Sequence, residues 1–264
     1  MNLLQIFGLL AALMTAIMSA GWWWQKQRSN AGIVDVLWSL GVGLGAILLA
    51  ALGAGAPAPR LALGVLGALW SARLARHIWS RVRHEAEDGR YRHLRQHWQG
   101  HQSKFFAFFM AQAVLVLLFA LPFGAVAVNP LTSFVGLAAG VLIWIGAVAG
   151  EALADHQLAR FRADPANRGR TCRAGLWGYS RHPNYFFEWL HWFAYVALAW
   201  GSPLFWLAWL GPLTMYVSLR WISGIPYTEA QALRSRGEDY RAYQRDTPML
   251  IPRLWKTTPA RSSP

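Results

Sequence analysis

One cysteine, Cys172, stands in 264 residues. That excludes an intramolecular disulfide and any cysteine-cluster metal site. Charge is scarce too. Asp, Glu, Lys and Arg make up 14% of the chain, well under the roughly 25% of soluble domains, which places it among membrane proteins. A phosphate-cradling glycine fingerprint is missing: Gly41-x-Gly43-x-Gly45 lacks the dinucleotide spacing and lies inside an apolar run rather than between strand and helix. No small-residue cleavage site follows the first apolar segment, so that segment is expected to be retained.

What the chain has in quantity is hydrophobic sequence, 55% of residues, with 16 Trp. Seven apolar runs, about 3–24, 33–53, 61–80, 105–122, 131–153, 184–200 and 203–224, are long enough to cross a hydrocarbon layer of roughly 30 Å. The expected fold is all-α, an integral membrane bundle of about seven transmembrane helices. It forms one domain over 1–256, with 257–264 a disordered tail. Of the 25 Lys and Arg, 21 fall in the connections 25–32, 81–104 and 154–183 and in the tail from 225. The opposite connections hold only Arg60. Seven spans with that bias put the N-terminus outside and the C-terminus in the cytoplasm. The net charge of +13 then reflects orientation and attraction to anionic membrane lipids rather than nucleic-acid binding, since the basic residues are spread over every inner loop. The outer connections are short and the inner ones long and polar, so function belongs to the cytoplasmic side.

Three polar islands interrupt the apolar pattern. In "GLWGYSRHPNYFFEWLHWF", Pro183 suits a first helical turn. From there Asn184, Glu188, His191 and Tyr195 fall at i, i+4, i+7 and i+11, one stripe of one helix. A carboxylate facing lipid is costly, so the stripe faces the bundle interior, either as a packing network or as the wall of a ligand pocket. The loop before it carries Arg160, Arg162, Arg168, Arg170, Arg173 and Arg181 with Asp155 and Asn167. Arginine forks match phosphate oxygens, and headgroup contact explains part of the same set. Backbone groups between Gly175 and Tyr179 are placed to complete an anion site. In "RSNAGIVDVLWSL", Asp35 sits about one turn into the second apolar run, either as a proton-holding acid or as a partner of Arg73 or Arg76. His93, His97 and His101, four apart, are the one metal candidate. No second histidine box accompanies them, an interfacial amphipathic helix explains the spacing, and no metal is expected. Small residues four apart (Gly41 and Gly45, Gly136 and Gly140, Gly146 and Gly150) read as helix-packing sites.

"GLWGYSRHPNYFFEW" followed by "YRAYQRDTPMLIPR" resembles the steroid 5-alpha-reductase family, above all its bacterial branch. The R-H-P-x-Y and late L-I-P elements are shared with sterol C14-reductases and isoprenylcysteine carboxyl methyltransferases of the same membrane superfamily. The resemblance implies a bacterial inner-membrane enzyme that binds NADPH from the cytoplasm. It would reduce an activated C=C bond in a lipophilic enone of the 3-oxo-4-ene steroid type. It places cofactor contacts on Asn184, Glu188 and Asp155 and phosphate contacts on Arg162, Arg170 and Arg173. Asn167, Tyr179, Arg181 and His182 complete the set. The family's acid and tyrosine that polarise the substrate have no direct copy; Asp35 is the nearest acid, and residues 60–84 hold Arg73 but no Tyr. Two other functions fit the residues: a methyltransferase using S-adenosylmethionine on a lipophilic acceptor, and a non-enzymatic transporter or scaffold.

Overall fold

The computed structural model describes residues 1–253; the tail expected at 257–264 lies outside them. All regular structure among the described residues is helical. The first six helices are α1 (Leu3–Arg28), α2 (Ile33–Leu52), α3 (Pro57–His84), α4 (Gly89–His97), α5 (Gln102–Ala127) and α6 (Phe134–Ala163). Six more follow: α7 (Pro183–His191), α8 (Phe193–Leu198), α9 (Phe205–Ala208), α10 (Leu210–Val217), α11 (Ile225–Arg236) and α12 (Glu238–Asp246).

Four of them, α1, α2, α5 and α6, are long and apolar enough to cross a membrane. The other three expected spans differ from the sequence reading for identifiable reasons. Helix α3 is long, but Arg60, Arg73, Arg76, Arg81 and Arg83 dilute its apolar character. The run 184–200 is not one helix: the Trp192 N–H bonds to the Trp189 carbonyl three residues back, tightening the turn between α7 and α8. The run 203–224 breaks between α9 and α10 and ends in a π-helical turn, Ser218–Ile222. Pro212 accounts for the first break, because its ring clashes with the carbonyl four residues back, at Ala208.

Within the single domain expected, the chain forms two compact units, Met1–Val141 with Ala194–Gly211, and Leu142–Phe193 with the chain from Pro212. The first unit packs on aromatic side chains: Trp38 meets Phe119 edge to face at 5.2 Å, and Phe123 meets Tyr195 at 4.7 Å. Its helices approach through small residues. A Cβ on Gly43 would strike Ser71, whose hydroxyl donates to the Ser39 carbonyl at 2.8 Å. Gly41 faces Met14 and Gly140 faces Leu198, as the spacing suggested, whereas Gly146 faces open space.

Helix α4 is fastened over the polar ends of α1 and α2. Glu87, just before it, accepts from the Ala31 N–H at 2.8 Å and from Arg95 at 2.7 Å, while Arg95 also reaches Gln25. In the second unit, Gly150 of α6 lies so close to the Phe187 ring that no larger residue fits without moving it.

Candidate functional site

In the second unit, residues 171–184 are tied down from both sides. Asn167 donates to the Phe161 carbonyl at 2.9 Å and so closes the end of α6. Gly175 has φ +58, and a Cβ there would meet Gln157, whose side chain accepts the Leu176 N–H at 2.9 Å. The Trp177 indole donates to the Ala154 carbonyl at 2.9 Å, and the Tyr243 hydroxyl donates to the Trp177 and Ser180 carbonyls. The Ser180 hydroxyl donates to Leu250 O at 2.8 Å, and the Arg181 N–H to Pro248 O at 2.9 Å. The start of α7 is therefore positioned by α6 and the C-terminal segment together.

Arg181 and His182 serve that clamp. The Arg181 guanidinium donates to Glu229 at 2.7 Å and to the carbonyls of Gln244 (3.0 Å) and Thr247 (2.7 Å). His182 Nε2 lies 3.2 Å from the same Glu229 oxygen. Burial pushes the imidazole below its ordinary range in spite of the carboxylate, so the neutral ring donates. Burial raises the Glu229 carboxyl as well, yet the bonds from His182, Arg181 and Gln244 outweigh it and hold the group at about 2.

One turn away, Asn184 Nδ2 donates to Asp155 Oδ1 at 3.1 Å, so two residues expected at a cofactor are brought together from α7 and α6. Glu188 follows on the next turn, largely buried, with its Oε1 3.9 Å from His191 Nδ1. Of the expected phosphate ligands, Arg162 and Arg170 are exposed and make no ion pair among the described residues, whereas Arg173 pairs with Asp239 at 3.1 Å. Tyr179 lines an apolar cavity of ≈ 490 Å³ with Leu176, Pro183, Phe186, Phe187 and Ile251.

The first unit holds the other polar cluster. The Tyr91 hydroxyl donates to Asp35 Oδ1 at 2.6 Å, and Arg90 Nη2 meets Asp35 Oδ2 at 3.1 Å. The charged partner of Asp35 is thus Arg90 of α4, not Arg73 or Arg76 of α3; Arg73 is half-buried on α3. Burial first, then the Asp35 charge, pushes the Tyr91 phenol well above the ordinary tyrosine range, so it keeps its proton at neutral pH. Sequence reasoning missed Arg90, Tyr91 and Glu229. The one signal was their setting: Tyr91 is the lone aromatic in "GRYRHLRQH", and Glu229 the first acid of a basic segment.

A family model described as "Protein of unknown function (DUF1295)" matches residues 21–247. None of the curated proteins matches the chain.

Proposed function

The chain belongs to the DUF1295 family, and from that premise we propose that it is an NADPH-dependent membrane reductase of an activated C=C bond in a lipophilic enone. On this reading it is of the steroid 5-alpha-reductase type. The observation that carries the reading is the Asp155–Asn184 pair with Glu188 one turn deeper, in the same unit as Arg162 and Arg170, which pair with no carboxylate among the described residues. That donor set fits a dinucleotide. Guanidinium forks suit its phosphates, and an amide and a carboxylate in a sheltered setting suit ribose hydroxyls and a carboxamide. Arg162 and Arg170 hold phosphate, while Asn184, Asp155 and Glu188 orient the ribose and ring. Arg181 and His182 act behind them by fixing the start of α7 through Glu229.

NADPH, when bound, supplies the hydride. The chain's own contribution at the carbonyl is a hydrogen-bond donor whose bond strengthens as negative charge grows on oxygen. We read the protein as seven spans in a bacterial inner membrane, with the N-terminus outside and the cofactor entering from the cytoplasm. The bias of basic residues supports that orientation.

The test is the nucleotide that the detergent-purified protein binds. Saturable NADPH binding, weakened by Asn184→Ala and by Glu188→Gln in protein that stays folded, is the expected result. Binding of S-adenosylmethionine instead, or of neither, would overturn the reading in favour of a methyltransferase or a transporter.

A further inference from the structure

Helices α1 and α3 end side by side. The Trp24 and Trp79 rings lie 6.3 Å apart. Just past the end of α1, the Asn30 side chain donates to the Val82 carbonyl at 3.4 Å, and a Cβ on Gly32 would meet the Val82 side chain. The contacts follow in the same order on both helices, so the two run the same way here and finish at one edge of the first unit. Arg28 stands one turn beyond Trp24 on α1, and Arg83 one turn beyond Trp79 on α3. The Arg83 guanidinium carbon lies 5.8 Å from the centre of the Trp79 ring. Trp24–Trp79 below and Asn30–Val82 above thus fix the two arginines at the same level.

Both arginines are exposed, and neither forms an ion pair among the described residues. The acids that follow Arg83 in the chain are engaged elsewhere: Glu85 with Arg81 at 3.5 Å, Glu87 with Arg95 at 2.7 Å and Asp88 with Arg90 at 3.2 Å. The dipole of a helix C-terminus favours a cation by itself. Here two such ends are joined, and two guanidiniums share one edge with no carboxylate paired to either. Their setting is that of a membrane surface. Helix α1 is long and apolar enough to cross a membrane, and its last two turns carry Trp22, Trp23 and Trp24. Lys26 Nζ lies 5.8 and 5.5 Å from the centres of the first two rings. Trp23 is 56% exposed and Trp79 37%. Exposed tryptophans at the end of an apolar helix settle at the headgroup level, and cations one turn beyond them meet the phosphates.

We propose that Arg28 and Arg83, one turn beyond the Trp24–Trp79 contact, form a site for the phosphodiester of an anionic glycerophospholipid. The two forks suit the phosphate oxygens, and the tryptophan rings suit the glycerol and the first part of the acyl chains. A zwitterionic headgroup brings its own ammonium against the arginines, whereas the glycerol of phosphatidylglycerol brings no charge. The site therefore selects lipid of net negative charge. Lipid retention is read without nucleotide, so it stands or falls independently of the reductase reading.

Native mass spectrometry of the full chain, released from bilayers of equal phosphatidylglycerol and phosphatidylcholine, tests this. Wild type should retain phosphatidylglycerol over phosphatidylcholine. Arg28→Gln and Arg83→Gln should each lower that preference about 5-fold, and the double variant by on the order of 10-fold or more. Both positions are exposed, so folding is not at stake. Replacing both with Lys keeps the charge and loses the forks, and should give a preference between those of wild type and the double Gln variant. Arg234→Gln, which removes an exposed charge from the second unit, should change nothing. Equal retention of the two lipids by wild type, or a preference that survives the double Gln variant, overturns the inference. A loss of the same size in Arg234→Gln also overturns it, since the attraction is then diffuse. Inorganic phosphate bound by delipidated protein through these arginines, with no preference between the lipids, overturns lipid as the occupant.

Discussion

Glu229→Gln keeps the shape of the clamp and removes its charge. Glu229 Oε1 accepts from Arg181 (2.7 Å), His182 (3.2 Å) and Tyr240 (3.4 Å), and Oε2 accepts from Gln244 (2.8 Å). A carboxyl held at about 2 in the folded chain, against an ordinary 4.5, corresponds to about 3 kcal/mol at neutral pH, reduced by solvent screening to about 2–3. Removing one partner of a buried ion pair costs about 3–5 kcal/mol. Arg181 keeps two carbonyl acceptors, so the low end applies and the two routes agree. Thermal unfolding in detergent should fall by roughly 5–10 °C at pH 7. The folded value lies below the unfolded one, so this stabilisation is complete above pH 4.5 and is lost as pH falls towards about 2. The gap between wild type and Glu229→Gln should therefore close over that window. Equal melting at pH 7, or a gap of constant size down to the acid limit, would refute the assignment of the clamp to this carboxylate.

Substitutions at three further positions probe each unit by itself. Tyr91→Phe removes the 2.6 Å bond to Asp35 and leaves a sheltered carboxylate oxygen without that donor, so unfolding should show a loss of about 1–3 kcal/mol; an unchanged melt would mean that the bond adds nothing to stability. Asp35→Leu leaves the buried phenol without its acceptor, at about 1–3 kcal/mol, and should harm melting more than Asp35→Asn, which still accepts. Gly150→Ala drives a methyl into the Phe187 ring, and an unfolding assay should show about 1–3 kcal/mol of overpacking; an unchanged melt would mean that the α6–α7 contact gives way freely.

Periodicity and composition made the long helices legible because hydrophobic length is a local property. The starts of α2 and α7, the first-turn Pro183 and the four helices apolar enough to cross a membrane follow from it. The breaks at Trp192 and Ala208 do not show in a hydropathy count, which is blind to the carbonyl that Pro212 displaces. The reading of residues 154–183 put phosphate contacts on Arg162, Arg170 and Arg173 and counted Arg181 with the cofactor set, yet Arg181 is consumed by Glu229, 48 positions later in the chain, and Arg173 by Asp239. Only a tertiary contact decides which cation is left over. Asp35 makes the same point for an acid. The sequence put it one turn into an apolar helix and supplied arginines on α3 as neighbours, since helices adjacent in the chain are the default partners. The intervening polar stretch instead folds back as α4, tied by Glu87 to the start of α2, and delivers Arg90 and Tyr91 to the two carboxylate oxygens. With both oxygens so engaged, Asp35 is the acceptor of the cluster, and the phenol's single hydrogen is spent on it. The acid fastens α4 to the start of α2, and its two partners come from a segment that hydropathy alone would read as a solvated loop.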